Sequence, residues 1–160
     1  MIPDFNKHGN LPAGIYKESI DDIEKWFGLN SKKRISLFST FNNFLELIMP
    51  FKTNIKQIIL DGSFVTTKEN PGDIDCIILI KNNTRFTPEI VDKLVNAKKL
   101  YNIHLFIHEE RNIKKYNDLL AFFSRNRNLK PKGVIEVILW LKMKDNINIL
   151  CQNLTSLKVN

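Results

Sequence analysis

Ile55-Lys56-Gln57-Ile58-Ile59-Leu60-Asp61-Gly62-Ser63-Phe64 and, ten residues after Ser63, Asp73-Ile74-Asp75-Cys76-Ile77-Ile78-Leu79-Ile80 decide how this chain is read. Ile55 to Leu60 is a short β-branched run, and it stops at a glycine, the residue best able to turn sharply after a strand. Cys76 to Ile80 is apolar without a break, the pattern of a strand buried on both faces. A polar connection, Thr66 to Gly72, separates the two. In a strand, residues two apart project from the same face with Cα atoms roughly 6.5 Å apart, so Asp73 and Asp75 point together.

That geometry has a chemical consequence. Two carboxylates aimed at one place repel each other unless a cation sits between them. Hard oxygen ligands of this kind suit Mg²⁺ or Mn²⁺, with water and substrate phosphate as further ligands. Gly62 has no Cβ to hold a ligand away from the backbone, and the N–H groups of such a turn form an anion pocket. The Ser63 hydroxyl adds a donor for a phosphate oxygen. A Gly-Ser turn alone is a common connection, and Asp-X-Asp alone is often a cap or a solvated loop. In this order, each at a strand end, they form a phosphate cradle followed by a metal-binding pair.

The segment resembles the signature of the nucleotidyltransferase superfamily: a hydrophobic strand, Gly62-Ser63, then Asp73-Ile74-Asp75. It is similar to the minimal nucleotidyltransferases of toxin–antitoxin systems. It resembles more closely an uncharacterised prokaryotic family of small proteins in that superfamily. Leu11-Pro12-Ala13-Gly14-Ile15, Asp61 to Thr66 with Lys68, Pro71 to Asp75, Phe122-Phe123 and Pro131-Lys132-Gly133 carry this second likeness over nearly the whole chain. The resemblance implies a small mixed sheet flanked by helices. It also implies Mg²⁺-dependent transfer of a nucleoside monophosphate from an NTP, ATP being the expected donor, to a protein or RNA acceptor. A toxin–antitoxin or phage-defence setting, with a partner protein encoded nearby, goes with it. The alternative it leaves is an inactive module of the same fold that binds nucleotide or a partner as a sensor or antitoxin.

The superfamily's third carboxylate falls within Tyr101-Asn102-Ile103-His104-Leu105-Phe106-Ile107-His108, which has no Asp or Glu. His104 stands in its place, as a third site residue beside Asp73 and Asp75 or as a polar residue on the exposed face of an edge strand. Glu109 and Glu110 replace it if the register differs by a few residues. Lys68 is a candidate for a γ-phosphate, and Lys132-Gly133 for the triphosphate, with lysine as a point charge. A solvated loop lysine and an ordinary charged turn are the competing readings.

Outward from the motif, the chain reads as α+β of α/β type. The first 18 residues, with Pro3, Gly9, Pro12 and Gly14, read as a loop-like arm, and Leu11-Pro12-Ala13-Gly14 as the part of it that folds over the site. Ser19 caps a helix with Ile20, Ile23, Trp26 and Phe27 as core, stopped at Gly28. A longer helix is expected from Ser31 towards Met49, with Ile35, Phe38, Phe41, Leu45 and Ile48 inward. Thr87-Pro88-Glu89 starts another, with Ile90, Val91, Leu94 and Val95 inward. Asn102 to Ile107 reads as a strand, Asp118 to Phe123 as a short helix, and Val134 to Leu141 as a last strand.

The 160 residues suit a single domain, 1–160, with one core. No apolar run reaches the roughly 20 residues that cross a bilayer, and the start lacks a signal-peptide pattern. Cys76 and Cys151 make neither a disulfide framework nor a zinc site, and a cytoplasmic protein with a buried Cys76 thiol is expected. The net charge of +7 favours polyanionic partners. A plain RNA- or DNA-binding protein has that charge but no recognition motif, and ranks last.

Overall fold

The computed structural model describes residues 2–139. The fold is mixed α and β, with one five-stranded mixed sheet flanked by helices. Its strands are β1 (Gly14–Ser19), β2 (Ile55–Asp61), β3 (Ile74–Ile80), β4 (Ile103–Glu109) and β5 (Gly133–Ile138), in the order β1-β5-β2-β3-β4. β1 pairs parallel to β5, β5 antiparallel to β2, β2 antiparallel to β3, and β3 parallel to β4. The parallel step from β3 to β4 needs a crossover, and α3 (Pro88–Val95) and α4 (Ala97–Tyr101) supply it.

Alternation along β2 and β3 divides the core. Ile58, Leu60, Ile74, Cys76 and Ile78 face a large cluster with Phe38, Phe41, Phe44, Leu45 and Ile48. Those aromatics come from α2 (Lys32–Ile48), which Ser31 caps by accepting from the Arg34 N–H. Ile59, Ile77 and Leu79 face the other way. They meet Val134 and Tyr116, with Leu119, Leu120 and Phe123 of α5 (Ile113–Phe123) packed against them. Helices on both faces explain the unbroken apolar run of β3.

Several expectations hold. Ser19 caps α1 (Ile20–Ile23), accepting from Asp22 N, and Thr87 caps α3 with Pro88 in its first turn. Cys76 is fully buried, and burial pushes its thiol far up, the nearby Asp75 charge adding to it. Cys151 and the end of the expected last strand lie outside the described residues.

Other expectations are corrected. The N-terminal arm is not loop throughout, because Gly14–Ser19 forms an edge strand, paired with β5 from Gly14↔Gly133 to Ser19↔Ile138. A strand whose last residue, Ser19, is itself a helix cap is hidden by the glycine and prolines before it. Trp26 is not core; only Phe27 of that pair is fully buried. Ile35 is 51% exposed, and the buried stripe of α2 begins instead at Arg34. Val91 and Val95 are exposed too, leaving Leu94 as the buried anchor of α3. α5 starts at Ile113, five residues before the expected Asp118.

No helix among the described residues is long and apolar enough to cross a membrane.

Candidate functional site

β2 and β3 end side by side. Asp61 is the register partner of Asp75, and Asp75 is the register partner of His104 on β4. Directly paired residues share a sheet face, so Asp61, Asp75 and His104 form one row across three strands. The row continues the face that α5 covers further along, and the carboxylates lie past the apolar cluster.

Each carboxylate here has a cationic or imidazole neighbour. Asp61 Oδ1 accepts from Lys132 Nζ at 2.5 Å, and both side chains are buried. His104 Nδ1 lies 3.2 Å from Asp75 Oδ1, and its ring packs on Phe106. Asp73, just before β3, pairs with Lys98 of α4. Burial pushes the Asp61 carboxyl upward, Lys132 and the Gly62 N–H pull it back, and the Asp75 charge pushes it up again.

Gly62 is required by this arrangement. Its φ is +77°, a left-handed conformation, and a Cβ there would stand 2.0 Å from Asp75 Oδ2. The turn and the carboxylate are therefore built as one unit. Gly62→Ala is expected to cost about 1–3 kcal/mol in backbone strain, to push the Asp75 carboxylate aside, and to lower stability by that amount in chemical denaturation. An unchanged midpoint, with no shift in the turn, would refute the dependence.

The Gly62–Val65 turn and the loop after it are held from beneath by Arg34. This guanidinium is 1% exposed. It donates to the carbonyls of Phe27 and Phe64 (both 2.8 Å), Thr66 (2.6 Å) and Lys68 (2.6 and 3.1 Å), and lies over the Phe64 ring. Ser63 also takes part through its carbonyl, which accepts from the Thr66 hydroxyl at 2.7 Å.

A cavity of about 930 Å³ opens over Asp61 and Asp75. Asp61, Gly62, Ser63, Asp73 and Asp75 line it, joined by Lys68 and by Phe122 to Lys132 from α5 and the following loop. His8 and Asn10 of the arm reach the same wall, Asn10 through a bridge to Thr66. Leu11 is buried and accepts from Gly133 N at 3.0 Å, so the Leu11 to Gly14 part of the arm runs into the sheet rather than over the cavity.

The sequence-predicted residues thus separate. Gly62, Ser63, Lys68, Asp73 and Asp75 gather at the cavity. His104 touches Asp75 from the exposed edge strand, as its register position implied. Lys132 reaches the cavity, but as the buried partner of Asp61 rather than a free cation. Glu109 and Glu110 do not substitute for an acid here: Glu109 pairs with Ile80, at the far end of β3, and binds Arg111. Sequence reasoning missed Asp61 as a member of the row, although its even spacing from Ile59 assigns it to that face. It also missed Arg34.

Among the described residues, no three or more acid, imidazole or thiol groups gather in a way that could hold a metal ion alone. Asp73 and Asp75 still offer the hard oxygens that fit Mg²⁺, an ion commonly held by one or two carboxylates plus substrate phosphate. Two carboxylates fit an ion that keeps water or other outside oxygens as its remaining ligands.

The chain matches the family of unknown function DUF6932 over residues 3–138 and belongs to it. No curated protein and no solved structure matches the chain.

Proposed function

We propose that this DUF6932 protein binds a nucleoside triphosphate, ATP being the expected donor, and transfers its nucleoside monophosphate to an acceptor hydroxyl. One observation carries the reading: the Gly62 turn closes directly on the Asp75 carboxylate at the floor of a cavity that Ser63, Lys68 and Asp73 also line. The Gly62-Ser63 turn offers N–H and hydroxyl donors to phosphate oxygens. The Lys68 ammonium lies at the rim, where a γ-phosphate neutralises it. Asp73 and Asp75 would hold Mg²⁺ or Mn²⁺, releasing Lys98 and His104 as they do so. That ion would supply charge stabilisation for the leaving pyrophosphate. Lys132 keeps Asp61 compensated next to Asp75, so one carboxylate of the row is neutralised from within the protein. In the transfer, the acceptor oxygen bonds to the α-phosphorus, the bond from that phosphorus to the β-phosphate oxygen breaks, and pyrophosphate leaves. The hydroxyl proton passes to water. A cytoplasmic protein of a toxin–antitoxin or defence system is the setting this activity suits.

The second reading is a nucleotide-binding module without catalysis. His104, an imidazole where the superfamily carries an acid, favours it.

The test uses α-labelled NTPs with Mg²⁺ or Mn²⁺, the protein alone, with its genomic neighbour, and with bulk RNA. Asp73→Ala with Asp75→Ala is expected to abolish metal-dependent nucleotide binding and any transfer of label, while the far-UV circular dichroism stays the same. Unchanged binding in the double variant would overturn the site. Binding without transfer under every condition would favour the second reading.

A further inference from the structure

The cavity is large, and its walls differ in character. At about 930 Å³ it stands near the top of the range for small-ligand clefts, roughly 300–1,000 Å³. The floor carries the carboxylates, with Asp61 paired to Lys132 and Asp73 to Lys98. One wall is the loop Arg125 to Lys130, closed by a bridge between Arg125 and Pro131 and by the Asn126 side chain, which accepts from Asn128 N and Lys130 N at 2.9 and 3.0 Å. Arg125, Arg127 and Lys130 project from this braced turn, exposed and without an acidic partner among the described residues. Beside them Phe122 is 68% exposed, held edge-on by Phe123, which itself packs on Phe106. Three unpaired cations next to a bare aromatic face, at the mouth of a polar cavity, match a ligand that repeats phosphate and base.

The transfer proposed above needs a free hydroxyl as acceptor, and this need selects the end of such a ligand. The 3′ end of a nucleic acid strand presents that hydroxyl at its tip, with its first phosphate one nucleotide behind. A protein hydroxyl has neither the π-face nor the trailing phosphates.

We propose that the acceptor is the 3′ end of a single-stranded nucleic acid. Its terminal hydroxyl points to the Asp75 floor, its phosphates lie on Arg125, Arg127 and Lys130, and a base stacks on Phe122. The chemistry rests on the nucleotidyl-transfer reading above; the binding does not. The 3′ oxygen bonds to the α-phosphorus of the NTP, the α–β phosphoanhydride bond breaks, pyrophosphate leaves, the proton goes to water, and the strand grows by one nucleotide.

Fluorescence polarisation of 5′-labelled oligoribonucleotides and oligodeoxyribonucleotides, single-stranded and duplex, tests the binding on the full chain. Single strands are expected to bind better than duplex, with a salt slope of about −2 for three phosphate contacts. Arg125→Ala with Arg127→Ala and Lys130→Ala should weaken binding tenfold or more and flatten that slope. Phe122→Ala should weaken it roughly tenfold, and Phe122→Trp should restore it. Saturating Mg-ATP should leave the strand bound, and a preference for the ribo- or deoxyribo-oligonucleotide names the source. Label from α-labelled NTP should join an oligonucleotide with a free 3′ hydroxyl and not one ending in 3′ phosphate. Wild-type affinity in the triple variant, displacement of the strand by Mg-ATP, or label delivered to protein alone would overturn the proposal. A strand bound on this loop with no label transferred to any acceptor would overturn nucleotidyl transfer and leave the nucleic-acid site standing.

Discussion

Replacing Arg34 by Met is expected to cost about 3–5 kcal/mol and to loosen the candidate site with it. The side chain is a buried cation in a helix stripe that is otherwise Phe, Leu and Ile. It survives there because its N–H groups meet carbonyls at four positions: Phe27, Phe64, Thr66 and Lys68. Burial lowers its affinity for a proton, yet a guanidinium remains charged at any working pH. Methionine fills much of the volume and satisfies none of the carbonyls. Each buried acceptor left unpaired costs about 1–3 kcal/mol, less where the loop shifts to reach water. Three of the four acceptors lie between 64 and 68, directly after Gly62-Ser63. The loss should therefore concentrate there: faster amide exchange from Phe64 to Glu69, and weaker nucleotide binding through Thr66 and Lys68. Arg34→Lys should recover only part, since one ammonium cannot span carbonyls that a planar fork reaches together. Urea midpoints for the three proteins check the energy, and hydrogen exchange checks the location. Equal midpoints for wild type and Arg34→Met would mean that the loop holds itself.

What the sequence told about this site depended on local spacing. Gly62 and Ser63 follow one strand, Asp73 and Asp75 stand at the start of the next, and a short connection with antiparallel pairing of the two brings them together; Asp73 itself lies just before β3, outside the strand period the sequence suggested. The β3 core run was equally plain, because burial on both faces leaves no polar position. Arg34 was hidden by residue type. Positions 34, 38, 41, 45 and 48 follow helical spacing better than 35, 38, 41, 45 and 48, but a charged residue is discounted as an inward one. Only distant carbonyls, after residue 60, explain its burial. The pairing of Lys132 was hidden for a related reason. Its neighbours Arg125, Arg127 and Lys130 are exposed, and nothing local distinguishes the one lysine that turns in to Asp61, 71 residues away. β1 was missed because its partner is also remote: an edge strand of mixed polarity gains its identity from pairing with β5, not from its own pattern.

The Asp61–Lys132 pair leads to the other large effect. Lys132→Ala should cost about 3–5 kcal/mol at pH 7, the usual result of leaving one charge of a buried pair alone. The effect should depend on pH in a definite direction. Burial already raises the Asp61 carboxyl in the folded protein, with Asp75 beside it adding to the rise, while Lys132 opposes both. A carboxyl with a raised folded pKa favours the folded state below its unfolded value, and that contribution is lost as pH climbs through the folded value. Removing Lys132 removes the largest opposing influence, so the rise grows and the loss extends to higher pH. Most of the variant's deficit should therefore develop between pH 4 and neutrality (an interval of roughly three pH units, set by the unfolded carboxyl). It should come closer to wild type in acid, where Asp61 holds a proton. Asp61→Asn with Lys132→Met removes both charges and keeps the volume, and should recover much of the stability at pH 7. Denaturation midpoints of the three proteins at several pH values decide it. A Lys132→Ala deficit that stays constant across pH would mean that packing of the lysine stem, and not the neutralisation of Asp61, is what the pair supplies. Recovery in the double variant, joined to loss of nucleotide binding, would show that the charge was retained at this position for the ligand and not for the fold.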